Sequence, residues 1–118
     1  MAQYVDGFII PIPKKNVEKY RKVAKLAGKI WMEHGALSYV ECIGEDVPMG
    51  KTTSFPQAVK LKKNEVVFFS WVVYKSRAHR DRVMEKVTSD RRMKGMMEMM
   101  PFDGDRMIFG GFTPIVSL

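Results

Sequence analysis

One segment of the chain, residues 65–75, carries apolar and aromatic side chains at nearly every position. Successive side chains of a β-strand point to opposite faces, so one face of this segment carries Val66, Phe68, Ser70, Val72 and Tyr74. The other face carries Val67, Phe69, Trp71 and Val73. A strand that is apolar on both faces is typical of the centre of a sheet covered on both sides. The rest of the chain offers helix for one cover only. The sequence therefore predicts a homodimer, in which a second copy covers the other face.

Length and composition indicate one globular domain that spans residues 1–118. The chain is long enough to bury a core, and 46% hydrophobic with 28% charged residues is an ordinary globular composition. No apolar stretch approaches the roughly 20 residues that span a bilayer. The first residues show neither a basic leader nor a cleavage site. We therefore expect a cytoplasmic protein that has no membrane partner.

Cysteine and histidine are scarce in this chain. Cys42 is the single cysteine and there are two histidines. This composition excludes an internal disulfide and lacks the three or four clustered ligands that a structural zinc site uses. The sequence accordingly predicts that the protein holds no metal and no cofactor, and the cysteine usage favours a reducing compartment.

The formal net charge of +7 comes largely from two predicted helices. Such a balance permits attraction to nucleic acid, acidic membranes or anionic ligands, and it equally suits a solvated helix face. Neither basic segment interleaves aromatic side chains with its cations, and no nucleic-acid-binding motif of the recognised kinds is present. Nucleic acid is therefore disfavoured as a partner. A nonenzymatic RNA- or protein-interaction module that uses the basic helices is the alternative function.

Hydrophobic periodicity predicts three helices. In the first, apolar residues recur at three- and four-residue steps from Val17 to His34. The expected N-caps of the three helices are Asn16, Ser76 and Asp90. The third helix is short and rich in methionine, with Met93, Met96, Met97 and Met100 at the spacing of one packed helix face.

The predicted strands cover residues 3–10, 37–44, 58–62, 65–75 and 106–116. Prolines 11 and 13 are expected to end the first strand. Residues 45–57 lose all periodicity. This stretch is long for a connection, since about 4–6 residues are usual, and we interpret it as an excursion from the sheet edge. The overall order is β-α-β-β-α-β. This order predicts an α+β, ferredoxin-like fold in which an antiparallel sheet has its helices on one face.

Six short strings occur in order along nearly the whole chain. They are residues 4–8 (YVDGF), 34–37 (HGAL), 50–56 (GKTTSFP), 69–71 (FSW), 74–78 (YKSRA) and 100–104 (MPFDG). In this respect the chain resembles a bacterial family, domain of unknown function 1428, within the dimeric α/β-barrel superfamily. One departure is Arg91, where the family pattern has a proline. The resemblance implies a ferredoxin-like homodimer and implies no particular activity.

Some enzymes of that superfamily are cofactor-free monooxygenases and others degrade haem. Haem degradation in those relatives uses an asparagine on the first strand, a tryptophan on the third and a histidine on the second helix. This chain is similar in outline, with Asp6, Trp71 and His79 in those elements. Asp6 replaces the amide, however, and His79 lies among arginines, which disfavour a protonated imidazole without making it a ligand. A haem-degrading enzyme is therefore the least favoured reading.

Three side chains are candidates for catalysis: Asp6, Glu41 and His34. Strand parity groups Glu41 with Tyr39, and Asp6 can share that face. If this is the dimer side, a carboxylate there needs a partner or a raised pKa, the conditions that suit a general base. The alternative is that each carboxylate pairs with an arginine or a backbone donor. His34 ends a helix, where a helix-end contact competes with catalysis. Cys42 is expected under the helices as a small core residue.

The excursion at residues 45–57 is expected to be a lid or a dimer-clasping arm. Lys51 and the hydroxyl groups that follow it, including that of Ser54, can hold a small anion. Phe55 precedes a proline, which favours an extended backbone, and its ring can plug an apolar gap or simply pin the loop. Together with Trp71 of the central strand, these residues are the candidates for ligand or lid roles.

No motif fixes a reaction. The function that the sequence favours is the binding, or the cofactor-independent turnover, of a small apolar or aromatic molecule. We expect this molecule to lie between sheet and helices or at the dimer face.

Overall fold

A computed structural model describes residues 3–118. Its strands are β1 (Tyr4–Pro13), β2 (Ser38–Ile43), β3 (Glu65–Tyr74) and β4 (Ile108–Phe112). Its helices are α1 (Val17–Glu33), α2 (Phe55–Ala58), α3 (Arg77–Thr88) and α4 (Arg91–Met97). Single 3-10 turns at Lys14–Asn16 and Gly104–Arg106 precede α1 and β4.

The four strands form one antiparallel sheet in the order β2-β3-β1-β4. β3 lies inside the sheet between β1 and β2, as its apolar faces predict. The strand order, with helices in the β1–β2 and β3–β4 connections, is the ferredoxin-like α+β arrangement. The predicted fold class is therefore confirmed.

Helices α1, α3 and α4 cover one face of the sheet. Two clusters of buried residues form this core. The first consists of Ala27, Ile30, Ala36, Val72, Tyr74, Val83, Val87, Met93 and Met96. The second consists of Ile10, Ile12, Tyr20, Ala24 and Phe68. Both clusters take their β3 residues from the face that carries Val66 to Tyr74, so this is the helix-covered face.

The opposite face of the sheet, which we call the open face, keeps large apolar side chains in solvent. The register groups its members, which are Val5, Gly7, Ile9, Val40, Cys42, Phe69, Trp71, Val73 and Phe112. Phe69 is 46% exposed and Phe112 is 63% exposed. The prediction that Cys42 lies under the helices is wrong, because Cys42 pairs with Phe69 in the β2–β3 register and cross-strand partners share a face.

β1 continues through the two prolines that were expected to end it. It pairs with β3 from Tyr4 to Pro13, but in the described chain its pairing with β4 stops at Ile9. A proline cannot donate to the ladder, and it is tolerated where its nitrogen faces an unpaired edge. Beyond Ile9, one side of β1 is such an edge, so the prolines cost little there.

The ends of α1 are fixed by contacts with distant parts of the chain. Asn16 occupies the N-cap position, but its side-chain amide donates to the Pro101 carbonyl at 3.0 Å and does not cap the helix. At the other end, the residue after the His34 C-cap is Gly35, with φ +113°. This left-handed conformation suits glycine and ends the helix.

The predicted strand at residues 58–62 is wrong. The structure has the short helix α2 at Phe55–Ala58, followed by a turn in which Lys60 has φ 51°. The Ser54 side chain accepts a hydrogen bond from Gln57 N at 3.1 Å and so caps α2. Proline is tolerated in a first helical turn because its missing N–H has no partner there. Phe55 is the first residue of α2, so the extended backbone expected before Pro56 is wrong.

The last helix, α4, and the last strand, β4, are shorter than predicted. Ser76 and Asp90 cap α3 and α4 through their side chains, as expected. Of the methionines predicted to pack from α4, Met93 and Met96 are buried, whereas Met97 is 64% exposed. The final strand covers Ile108–Phe112 and not residues 106–116, because β1 offers β4 only five paired positions.

Within residues 3–118, no helix is long and apolar enough to cross a membrane.

Candidate functional site

A cleft of about 960 Å³ lies between α1 and the edge strand β2. Its apolar wall includes Tyr20 and Ala24 of α1, Tyr39 and Ile43 of β2, and Phe68 of β3. The rings of Tyr20 and Phe68 meet edge to face, with centroids 5.0 Å apart. The cleft thus presents aromatic surface on the helix-covered side of the sheet. Aromatic clefts of this kind are typical of ligand sites.

Glu41 is the half-buried carboxylate of this cleft, and two tyrosines hold it. The Tyr20 hydroxyl donates to Oε1 at 2.8 Å, and the Tyr39 hydroxyl donates to Oε2 at 2.7 Å. One donor comes from α1 and the other from β2 itself, two residues before Glu41. A carboxylate has about four lone-pair positions, so Glu41 can still accept a hydrogen bond from a ligand.

Burial sets the protonation behaviour of this group. Burial raises the pKa of Glu41 above its usual value, and it outweighs the lowering by the hydrogen bonds from Tyr39, Tyr20 and Ser70. Burial and the Glu41 charge also raise the pKa of both tyrosines, which therefore stay protonated and remain donors. The arrangement is a half-buried proton acceptor with two fixed donors.

The position of Tyr39 depends on a close approach between α1 and β2. A Cβ atom on Gly28 would lie 2.7 Å from Cδ1 of the Tyr39 ring, closer than real contacts allow. The Trp31 ring also packs on the Tyr39 ring, with centroids 5.8 Å apart. Gly28 and Trp31 thereby fix the ring that carries the second donor to Glu41.

Cations of α1 form the rim of the cleft. Arg21, Lys25 and Lys29 line it at four-residue steps and are exposed. Residues four apart lie on the same side of a helix. The cleft therefore combines an apolar wall, one half-buried carboxylate and a positively charged edge.

Asp6 shares the sheet face of Glu41, as strand parity allowed, but this face is covered by helices, so the condition that it is the dimer side is not met. Arg80 of α3 donates to Asp6 Oδ1 at 2.7 Å. Burial raises the pKa of Asp6, against the lowering effect of Arg80. The Arg80 guanidinium also lies 5.0 Å from the centroid of the Tyr4 ring. Asp6 thus has an arginine partner, as the alternative to a general base predicted. Within residues 3–118, Glu41 has no arginine partner and is held by tyrosines.

His34 connects the end of α1 with the start of α4, whereas His79 contacts the backbone just before its own helix α3. Nε2 of His34 lies 2.9 Å from Oδ2 of Asp90, the residue that caps α4. The Lys75 N–H donates to Nδ1 of His79 at 2.9 Å. Trp71 is on the open face, whereas Asp6 and His79 belong to the helix-covered side. The three residues that resemble the haem-degrading arrangement are therefore on opposite sides of the sheet.

The excursion packs along the open face. The rings of Phe55 and Phe69 lie 6.0 Å apart, and those of Phe69 and Trp71 lie 5.4 Å apart. The hydroxyl group of Ser54 caps α2, and Lys51 is exposed. These four candidates therefore lie away from the Glu41 cleft, and Phe55 begins an aromatic row across the open face.

Tyr20 and Tyr39 are site residues that the sequence reasoning missed as donors. The parity of Tyr39 and Glu41 was the available signal, because residues two apart on a strand share a face. The Tyr20 contact joins positions 21 residues apart. It depends on how α1 crosses β2, and no local pattern reports that.

Two solved structures resemble the whole chain. One is SnoaB, a cofactor-independent oxygenase from Streptomyces nogalater, in a mutant form (TM-score 0.57, 11% identity, 99% of this chain and 95% of that one). The other is a dimeric ferredoxin-like protein from an uncultured marine organism (TM-score 0.61, 8% identity, 100% and 92%). At these identities the likeness shows the fold, which defines the class as ferredoxin-like α+β proteins.

The family follows from sequence. Residues 3–104 match the family described as "Protein of unknown function (DUF1428)". The chain is also 49% identical over 115 residues to the "Uncharacterized protein YbaA" of Escherichia coli strain K12, covering 98% of each. The chain belongs to the DUF1428 family, and the resemblance inferred from the six strings is confirmed.

Proposed function

We propose that this protein binds a small aromatic molecule in the Glu41 cleft and accepts a proton from it without a cofactor. The observation that carries the proposal is the half-buried Glu41, held by Tyr20 and Tyr39 in an aromatic cleft of about 960 Å³. Ligand sites are typically apolar clefts with a few convergent polar groups and a carboxylate of perturbed pKa. The cleft fits that description.

The chemistry is a proton transfer from an acidic O–H or C–H group of the ligand. The ligand bond to hydrogen breaks, its electron pair stays on the ligand, and the proton forms a bond to a Glu41 oxygen. A raised pKa makes the carboxylate a better base near neutral pH. The two tyrosines keep the carboxylate in place. The neighbour SnoaB is described as a cofactor-independent oxygenase, so this fold supports chemistry without a cofactor in at least one protein.

We further propose that two copies associate through the open face. Phe69 and Phe112 are 46% and 63% exposed, so the open face would otherwise leave several large apolar side chains in water, which monomers seldom do over a wide area. A stable two-fold interface there should bury about 1,200–2,000 Å² in total. One structural neighbour is described as dimeric. Association through the open face leaves the Glu41 cleft, on the other side of the sheet, accessible to a ligand.

The binding proposal is tested with a matched pair of ligands, 2-naphthol and 2-methoxynaphthalene, which differ in the acidic proton. A ligand at 100 times its Kd stabilises a protein by about 2.7 kcal/mol, which a melting curve resolves easily. We expect 2-naphthol to raise Tm more than its methyl ether does, and Glu41→Gln to remove the difference. Glu85→Gln is the matched control, because Glu85 is an exposed carboxylate on α3. An equal rise with both ligands, or a difference that survives Glu41→Gln, would refute the proposal.

A further inference from the structure

The cations at the cleft rim differ in how far other charges neutralise them. Arg21 pairs with Glu18 at 3.1 Å, and the one acidic residue on the rim, Glu33, pairs with Arg92 at 3.1 Å. Lys25 and Lys29 form no ion pair with any residue in the described range 3–118. They are four residues apart on α1, so their charges repel each other on the same side of the helix.

Lys25 and Lys29 lie on the side of α1 that borders the cleft. Both line the cleft together with the aromatic wall and Glu41. Other lysines of α1, such as Lys19 and Lys22, are exposed but do not line it. An anion bound beside Lys25 and Lys29 would relieve their repulsion while the rest of the molecule contacts the apolar wall. The half-buried Glu41 carboxylate repels an anion, so the charged end belongs at the rim.

We infer that the ligand of this cleft is an aromatic anion whose carboxylate or similar charged group is bound by Lys25 and Lys29. The ligand directs a proton-donating group, such as a hydroxyl, towards Glu41. This inference rests on the proposed function. It adds that the ligand is an anion and that it is oriented with its charged group at the rim and its proton-donating group towards Glu41. It selects hydroxylated aromatic acids over neutral aromatic molecules of the same shape.

The test compares 6-hydroxy-2-naphthoate with 6-hydroxy-2-naphthamide, which are close in shape and differ in charge. Titrations followed by amide NMR spectra of labelled protein give both the affinity and the location. Shifts at Gly28, Tyr39 and Glu41 report the cleft, whereas shifts at Gly7 and Phe69 report the open face. We expect the acid to bind in the cleft about fivefold more tightly than the amide, as two exposed ion pairs allow, and this advantage to shrink as salt is added.

The double variant Lys25→Gln/Lys29→Gln should abolish the advantage of the acid, so that acid and amide bind with equal affinity. Its control is Arg82→Gln/Lys86→Gln, which removes two exposed cations at the same spacing from α3, and this control should keep most of the advantage. Equal affinities of acid and amide in the cleft, or equal effects of the two double variants, would overturn the inference and leave the proposed function standing. If neither compound shifts the cleft amides, the proposed function fails as well.

Discussion

The hydrogen bond from Tyr39 to Glu41 can be removed with little other change. Tyr39→Phe deletes one hydroxyl group and keeps the ring that packs on Gly28 and Trp31. The deleted bond is short, at 2.7 Å, and its acceptor is a half-buried carboxylate. The variant therefore isolates the contribution of one donor to the candidate site.

The size of the effect follows from the charge of the acceptor. A hydrogen bond to a charged group contributes about 1.5–3 kcal/mol, and one between neutral groups contributes about 0.5–1.5 kcal/mol. Tyr20 still donates to Glu41 in the variant and the site is open to water, so we expect the lower half of each range. Tyr39→Phe should then cost about 1.5–2 kcal/mol with Glu41 ionised and about 0.5–1 kcal/mol with Glu41 protonated.

This difference gives the loss a defined pH dependence. Burial raises the pKa of Glu41 in the folded protein above the usual value of a glutamate carboxyl group. Protonation therefore favours folding, and the contribution is complete below the unfolded pKa and is lost as the pH rises through the folded pKa. Tyr39→Phe removes a donor and raises that folded pKa further. The free energy that the variant loses must therefore be larger at pH 8 than at pH 4.

Urea unfolding at pH 4 and pH 8, at one fixed protein concentration, measures the loss. The fixed concentration is needed because a dimer gains stability with concentration. The same substitution in a Glu41→Gln background is the control, and there the loss should be small and equal at both pH values. An equal loss at pH 4 and pH 8 in the otherwise natural protein, or an undiminished pH dependence in the Glu41→Gln background, would refute the reasoning.

Three further predictions concern other parts of the molecule. Phe69→Asp places a charge on the open face and should convert a particle of twice 13.6 kDa into monomers in light scattering. Phe109→Asp, at a more exposed position on the other face, should not. A 13.6 kDa particle before any substitution would disprove the dimer. Phe55→Ala should lower the urea midpoint and leave 2-naphthol binding unchanged, whereas weaker binding would make Phe55 a lid. Arg106 donates to both oxygens of Glu65 at 2.7 and 2.6 Å and lowers the pKa of Glu65. This stability is present above the unfolded pKa and is lost in acid, so the cost of Arg106→Gln should shrink from pH 7 to pH 3; a constant cost would contradict it.

Strand parity predicted which residues share a face, but it could not predict which face the helices cover. Alternation groups Tyr39 with Glu41 and Val40 with Cys42, and the structure keeps both groups. The side on which each group lies depends on how α1 crosses back over the sheet. For this reason parity left the side of Glu41 open, and the structure has it under α1. The expectation that Cys42 lies under the helices was wrong, because Cys42 is on the open face.

Local capping chemistry was predictable where the cap and its partner are close in sequence. Ser76 and Asp90 accept hydrogen bonds from N–H groups two or three residues away, so their own sequence context is sufficient. Asn16 looked equally suitable, but its amide contacts Pro101, 85 residues away. The Tyr20–Glu41 contact was missed for the same reason. Contacts between distant segments require the assembled sheet, and the candidate site consists mainly of such contacts.

A crystal structure of the protein soaked with hydroxylated aromatic acids tests the central claim most directly. We expect density for such a compound between α1 and β2, with its hydroxyl group within hydrogen-bond distance of Glu41 and its carboxylate beside Lys25 and Lys29. We also expect a two-fold related copy packed on the open face. Compounds bound only elsewhere, or a second copy that fills the Glu41 cleft, would contradict the account.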